Sequence, residues 1–409
     1  MKNVFYRLSV LMLALVLFAF GACTEIPGIS QGGNETPGAS ENPENPENPE
    51  GDKGDTEPAK VTAVVDVIAK HGNLKLDIIG STLLDQGYEY GDILEVTIAG
   101  KVYELPLCSN YSDVEAGETV LRAVTADEVV VIAYNMGDFA TTEGIATKTV
   151  IEEEPGYRWD YLVESPVNVE ISLKQKGGYR DQWILRQLTL SMLREDYPHL
   201  TDEEFGNFRV IATTGMGKNV LYRSSTPINP EYGRSTYVDK AMRDAGILTV
   251  INMADASNTY EGAEDSYYQT CQVAYLNLGM DFLSENVTAG LASGLRFIIN
   301  NDGPYLIHCN EGKDRAGFVS ALLEILMGAT LEEVIDDYMV TYYNYYGVEE
   351  GTEKYDVIVD NNLIQTLEKN FKVGDAYTAD LMAEAVEYLT EELGLSADEV
   401  HALKAKLGA

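Results

Sequence analysis

The stretch YLIHCNEGKDRAGF, Tyr305–Phe318, decides the fold of the C-terminal half of this chain. An apolar, strand-like run closes at His308 and Cys309. A short polar loop with one glycine, Gly312, follows. Arg315 then opens an apolar run with helical spacing, RAGFVSALLEILMG. A chain passing from strand to helix through so short a loop has to wrap. The backbone N–H groups of Asn310, Glu311, Gly312, Lys313, Asp314 and Arg315 then point inward and join the positive end of the helix, which makes a seat for phosphate. Gly312 permits the bend. Arg315, separated from Cys309 by five residues, offers a planar fork for two phosphate oxygens. The same field favours thiolate over thiol at Cys309. A nucleophile would thus face a phosphorus atom, with donors around the oxygens of the transition state.

Working outward, strands and helices alternate from about residue 176 onward. VLYRSST, ILTVINM, VAYLNLGM and YLIHCN read as strands. STYVDKAMRDAG, the region of YEGAEDSYYQT, TAGLASGLRFIINN and RAGFVSALLEILMG read as helices, as does RDQWILRQLTLSMLRE before the first strand. Such a series predicts an α/β domain: a mainly parallel central sheet flanked by helices. Ligands bind at the carboxyl ends of parallel strands, so the loops after Met253, Leu278 and Cys309 should share one rim. Two more helices follow, with capping boxes at Thr330/Glu333 and Ser396/Glu399.

The preceding region, 59–175, has β-branched runs separated by Gly, Asp and Asn turns, including a hairpin around Gly100 in IAGKVYELP. It predicts a small all-β sandwich or barrel. YSDVEAGE and VVVIAYNMGDFA within it are similar to the C-terminal β-domain of the S-adenosylmethionine hydroxide adenosyltransferases, a likeness that implies no catalysis here.

The first residues have the pattern of an export signal. Lys2 and Arg7 precede an apolar stretch from Leu8 to Phe20, too short for a comfortable membrane span. Small residues and then Cys23 resemble the lipobox of bacterial lipoproteins, which implies a signal peptide over 1–22 and lipidation of Cys23. Residues 23–58, with ENPENPENPE, read as a disordered tether rich in Pro, Asn and Glu. These features imply an exported lipoprotein, anchored to a membrane in the periplasm or at the cell surface. Of the cysteines beyond Cys23, Cys108, Cys271 and Cys309 form an odd set with no zinc spacing.

The formal charge of −37 over 409 residues argues against nucleic acid as a partner, since phosphate-backbone affinity needs clustered Lys and Arg. Any phosphate site has to be assembled locally.

HCNEGKDRAG resembles the signature of the cysteine-dependent tyrosine and dual-specificity phosphatases, above all bacterial tyrosine or lipid phosphatases with a Gly-Lys-Asp-Arg loop and relatives acting on inositol phosphates. NFRVIATTGMGKNVLYRSSTP is similar to their entry segment and GLSADEVHALKAKL to their closing helix, so the likeness spans about 180–407. It implies a phosphatase domain over 176–409 that needs neither metal nor cofactor. Cys309 would become phosphocysteine, Arg315 would clamp the phosphate, Gly312 and the loop amides would form the cradle, and His308 would orient the loop. Lys313 matches a position that adds charge for a second phosphate in lipid-active members; the competing expectation is a solvated lysine. The family usually places Ser or Thr after the arginine, whereas this chain has Ala316, which implies slower breakdown of the phosphoenzyme.

The leaving oxygen needs a proton donor. Asp281, after the strand VAYLNL, is the first choice, Asp314 in the loop the second, and Asp255 the third, with helix capping its alternative role. Tyr338, Tyr342, Tyr345 and Tyr346 are expected to pack against the sheet, and Arg223 to brace the rim through an ion pair. The expected function is phosphomonoester hydrolysis on a phosphorylated protein, an inositol phosphate or phosphoinositide, or a small phosphate ester. The alternative is a catalytically weak, phosphate-binding pseudophosphatase.

Overall fold

The structure, a computed structural model, describes residues 57–124, 128–257, 260 and 265–409. The expected signal peptide, Cys23 and all but the last two residues of the expected tether lie outside the described residues.

Alternating burial along the first strands closes them into a barrel. Its strands are β1 (Val61–Ile68), β2 (Leu74–Ile79), β3 (Ile93–Ile98), β4 (Lys101–Cys108), β5 (Thr119–Arg122), β6 (Val129–Tyr134) and β9 (Asn168–Gln175), in the order β1-β2-β6-β5-β4-β3-β9. Leu94, Val96 and Ile98 of β3 point inward with Leu105 and Leu107 of β4, as a period of two requires. Ala99 and Gly100, with φ 47° and 82°, make the two-residue turn expected around Gly100. Strands β7 (Ala146–Val150) and β8 (Tyr157–Tyr161) form a separate hairpin that the sequence pattern did not announce. Short helices at Ser81–Leu84 and Phe139–Thr142 mean that the region is not purely β.

Helix α1 (Arg180–Arg186) leads out of the barrel. It is shorter than the apolar spacing of RDQWILRQLTLSMLRE predicts. Beyond Gln187 the chain leaves the helical path, and the Ser191 carbonyl accepts a hydrogen bond from Arg234 Nη2 at 2.9 Å instead of an intrahelical donor.

The second sheet has strands β10 (Arg209–Val210), β11 (Leu221–Ser224), β12 (Thr249–Asn252), β13 (Gln272–Tyr275) and β14 (Tyr305–His308), in the order β10-β11-β14-β12-β13. All neighbours are parallel except the edge strand β10. Leu306, Val250 and Tyr222 pack on one face against α2 (Ser235–Ala245). On the other face Tyr305, Ile307, Ile251 and Leu221 join α3 (Glu285–Asn300), α4 (Asp314–Met327) and α5 (Leu331–Tyr346). Burial on both faces is what a central parallel strand demands. The helix expected around YEGAEDSYYQT appears, within the described residues, as a 3₁₀ turn at Tyr267–Thr270.

After α5 come α6 (Glu353–Ile358), a π-helical segment (Val359–Ile364), α7 (Gln365–Phe371), α8 (Leu381–Glu387) and α9 (Ala397–Leu407). Both predicted capping boxes form: Thr330 and Glu333 open α5, and Ser396 and Glu399 open α9. Helix α1 ties the barrel to this last group. Trp183 stacks on Tyr90 with ring centroids 5.3 Å apart, Gln187 Nε2 donates to Asp113 Oδ1 at 3.2 Å, and Arg180 donates to both Glu353 carboxylate oxygens at 2.9 and 2.7 Å.

Candidate active site

Strand β14 is central in its sheet and delivers Cys309 to the carboxyl edge, where α4 begins at Asp314. The loop between them is held from outside through its carbonyl oxygens. Thr226 N donates to Asn310 O at 2.9 Å, Asn207 Nδ2 to Glu311 O at 3.0 Å, and Arg223 Nη2 to Gly312 O at 2.8 Å and Lys313 O at 3.4 Å. In a trans peptide the next N–H points opposite to the C=O. Outward carbonyls at Asn310–Lys313 therefore turn the amides of Glu311, Gly312, Lys313 and Asp314 inward. Among the described residues, none of these amides donates to a protein acceptor. Gly312 sits at φ 72°, and a Cβ there would lie 2.4 Å from the Ser224 carbonyl oxygen, so both conformation and space require glycine.

Arg315 closes the ring. Its Nη1 donates to Met253 O and to Leu278 O, both at 3.1 Å, so one guanidinium joins the loops after β12, β13 and β14 that the sequence placed on a shared rim. The Nε and Nη2 edge makes no hydrogen bond among the described residues, which leaves a fork free to meet two anionic oxygens. Cys309 is 3 % exposed. Ala316 is fully buried beneath the loop.

His308 is fully buried, and burial lowers its imidazole to about 4, so it is neutral. Nδ1 lies 3.3 Å from Cys309 O and Nε2 3.5 Å from the Tyr268 hydroxyl, while Asn252 Nδ2 donates to that hydroxyl at 3.0 Å. A carbonyl oxygen only accepts, so the N–H of the ring lies on Nδ1, facing Cys309 O and the loop. Asp255 belongs to the same network rather than to a helix cap: Asn252 Nδ2 donates to its Oδ2 at 3.0 Å and Tyr260 to its Oδ1 at 2.8 Å.

Behind the loop lies a buried charge cluster. Arg223 Nη1 donates to Asp337 Oδ2 at 2.6 Å and Arg209 Nε to Asp337 Oδ1 at 2.9 Å. Burial raises the Asp337 carboxyl, but the two guanidinium groups outweigh it and hold the group at about 2. Nearby Glu324 is pushed up by burial and by Asp337, which favours its neutral form. Asn207, which holds Glu311, is itself fixed by Arg209 Nη1 at 2.5 Å and Thr341 Oγ1 at 3.1 Å. The ion pair expected for Arg223 is present and reaches further than the rim, since the same side chain grips the loop.

Lys313 is not a freely solvated lysine. Its Nζ lies 3.1 Å from Glu311 Oε2 and 3.2 Å from the Tyr346 hydroxyl. Burial works against its charge, but Asp314, Tyr346 and Glu311 together raise its affinity for the proton. Tyr338, Tyr342 and Tyr345 are buried as expected, while Tyr346 holds the loop lysine.

Asp281 is 60 % exposed and pairs with Lys369 at 3.3 Å. Asp314 is half-buried beside a cleft of about 430 Å3 lined also by Phe282, Phe318, Tyr338 and Asn370. Burial raises its carboxyl, against the pull of Lys313 3.9 Å away. Tyr232, from the turn after β11, is also at the site: burial and then Glu311 raise its hydroxyl, Arg315 lowers it and Cys309 raises it. No motif in the sequence marks Tyr232. Asn207 and Arg209, by contrast, stand in the segment that resembles the phosphatase entry.

Cys271 cannot pair with Cys309. Register places Cys271 one residue before Gln272, level with Pro304, at the opposite edge of the sheet. Five residues of strand separate the two levels, about 16 Å, against a Cα–Cα reach of about 7 Å for a disulfide. Among the described residues no group of His, Cys, Asp and Glu side chains has the arrangement of a metal site, and no helix is long and apolar enough to cross a membrane.

A cysteine at the mouth of a ring of inward amides, closed by an arginine at the carboxyl edge of a parallel sheet, makes this an α/β protein with a loop shaped to suit an anion. Within that class the chain belongs to the tyrosine phosphatase family, whose model matches residues 205–409. A crystal structure of an uncharacterized conserved protein from Thermotoga maritima aligns at 20 % identity and TM-score 0.22, over 28 % of this chain and 36 % of that one. The core catalytic domain of PP-IP phosphatase SIW14 from S. cerevisiae, in complex with citrate, aligns at 15 % identity and TM-score 0.25, over 38 % of this chain and 85 % of that one. No curated protein matches the chain.

Proposed function

We propose that the chain hydrolyses phosphate monoesters through a phosphocysteine on Cys309. The observation that carries this is the loop itself, with its carbonyls tied outward and its amides and the Arg315 fork left to meet an anion. The Cys309 thiolate attacks phosphorus, the P–O ester bond breaks, and the leaving oxygen takes a proton. Inward amides and Arg315 hold the equatorial oxygens as charge shifts onto them. Water then attacks the phosphocysteine, releasing phosphate and restoring the thiolate.

Asp314 is the better proton donor of the candidates. It faces the cleft, and its raised carboxyl holds a proton to higher pH than an ordinary aspartate. Asp281 is exposed and engaged by Lys369. Ala316 offers no hydroxyl to assist the second step, so dephosphorylation is the slow one.

Turnover of p-nitrophenyl phosphate with chelator present, and its loss in Cys309→Ser, tests the mechanism. Turnover that survives in Cys309→Ser, or that vanishes with chelator, would sink it. Burst kinetics would report the slow second step.

The same reading makes residues 1–22 a lipoprotein signal and Cys23 the lipid-bearing residue, with 23–58 holding the folded part away from the membrane. It divides that part into 59–175 and 176–409, supported by the closure of the barrel at Gln175. Metabolic labelling with a fatty acid, lost in Cys23→Ser, checks the anchor.

A further inference from the structure

Two side chains of opposite charge stand on the loop itself, Glu311 and Lys313, with Gly312 between them. They close a triangle with Tyr346 of α5. Lys313 Nζ lies 3.1 Å from Glu311 Oε2 and donates to the Tyr346 hydroxyl at 3.2 Å, and that hydroxyl donates to the same Glu311 oxygen at 3.2 Å. Burial raises the Tyr346 hydroxyl to about 12, so it keeps the proton it gives to Glu311. The ring of Tyr346 also lies under the ammonium, with Nζ 5.3 Å from its centroid. That ring is itself fixed, beside the buried rings of Tyr342 and Tyr345 at 5.6 and 6.3 Å between centroids.

The triangle sits at the anion seat. Its two loop members belong to the run of inward amides between Cys309 and Arg315. The Tyr232 hydroxyl, raised first by burial, feels Glu311, Arg315 and Cys309 together, which puts the Glu311 carboxylate near the nucleophile and the fork.

A free lysine at this place would offer a whole positive charge to a second phosphate. Here Glu311 offsets that charge at contact distance, and Asp314 Oδ2 lies a further 3.9 Å from Nζ. A second phosphate drawn to Nζ would come close to the carboxylate of Glu311, and like charges at short range repel. The side chains of Lys313 and Glu311 are only 18 % and 28 % exposed, so solvent screens that repulsion in part.

We propose that Glu311 determines the substrate class of this site: by holding Lys313 in the triangle, it restricts the loop to phosphate esters with no second phosphate beside the first. The proposal rests on the phosphocysteine reading above. The donors that Lys313 would give a neighbouring phosphate are committed to Glu311 and Tyr346, and the carboxylate adds a repulsive element against such substrates.

The test uses the full chain, chelator, and titration calorimetry with methylphosphonate, methylenebisphosphonate and ethylene-1,2-bisphosphonate, whose P–C bonds the reaction does not cleave. The unmodified chain is expected to bind neither bisphosphonate more than about threefold tighter than methylphosphonate, a margin that covers the two equivalent ends. In Glu311→Gln, which keeps the size of the side chain and releases Lys313, at least one of these ratios is expected to rise about tenfold. Adding Lys313→Met to that variant is expected to return the ratio to within about threefold of the unmodified chain. A bisphosphonate preference above about threefold in the unmodified chain, a rise of less than about threefold in Glu311→Gln, or a rise that survives Lys313→Met would overturn the proposal, while turnover of p-nitrophenyl phosphate that depends on Cys309 would leave the phosphocysteine reading intact. The ratio in the unmodified chain is read whether or not the variants fold. No turnover of p-nitrophenyl phosphate, or no binding of methylphosphonate, by the unmodified chain would overturn both.

Discussion

Arg223 Nη2 donates to the carbonyl oxygen of Gly312 at 2.8 Å from a side chain that is 1 % exposed. The cradle is thus shaped by a buried guanidinium on its outer side, pinned in turn by Asp337. Arg223→Lys keeps the charge but not the fork, and one ammonium cannot hold both Asp337 and the loop in this geometry. The expected result is a fall in kcat/KM of about tenfold to a hundredfold, with weaker inhibition by inorganic phosphate, because small displacements of a positioned group are that costly. Steady-state kinetics checks it, with the melting temperature as a control on folding.

Gly312→Ala addresses the same loop from within. At φ 72°, with the Ser224 oxygen 2.4 Å from the added Cβ, the residue cannot stay where it is. Backbone strain alone costs about 1–2 kcal/mol, and the clash adds to it. Affinity for inorganic phosphate, read by titration calorimetry, should fall below detection while the barrel signal in thermal unfolding persists.

The proton donor is distinguishable by pH. Burial raises Asp314, and a general acid works only when protonated, so kcat/KM should fall as pH rises through its raised pKa. Asp314→Asn should remove that alkaline limb and slow phenyl phosphate by about 100-fold or more, with a smaller loss for p-nitrophenyl phosphate, whose leaving group needs no proton. Asp281→Asn should change neither by more than about threefold; the reverse pattern would return the role to Asp281.

His308 makes stability depend on pH. Its folded value, about 4, lies below the ordinary 6.5. The unfolded chain therefore binds the proton first as pH falls, and stability rises with pH in that window. The contribution is present in full above about 6.5 and is lost as pH falls toward 4, up to about 3 kcal/mol at about 1.4 kcal/mol per unit. Urea unfolding at pH 7 and pH 5 measures it, and His308→Gln should flatten the difference.

Oxidation offers a further check. Because Cys271 lies at the opposite edge of the sheet, Cys271→Ala should leave the rate of inactivation by peroxide unchanged. A changed rate would mean that the strands separate enough for the thiols to meet.

Much of this site was legible in HCNEGKDRAG because a strand, a glycine bend and a helix start leave the backbone little choice. The shared rim at Met253 and Leu278 followed from strand direction alone, and Arg315 realises it with one side chain. Asp337 was hidden: an acid within a helix pattern looks like a solvated face until a buried arginine is set against it. Lys313 was ambiguous because its partner, Tyr346, lies 33 residues away on another helix. The premature end of α1 was invisible for a similar reason, as the competitor for its carbonyls, Arg234, comes from a distant segment. The π-helical segment carries no local signature that distinguishes it from ordinary helix.

Helix α1 touches both the barrel and one side of the cleft beside Asp314: Trp183 lies on Tyr90, and Asp181 accepts from Asn361, which lines that cleft. A fragment beginning at Phe205, where the family match starts, would therefore be cut loose from a splint. It would keep its anion seat but lose the outside brace on Asn361 and Glu353, so kinetics taken on such a fragment would describe a looser domain than the one the full chain builds.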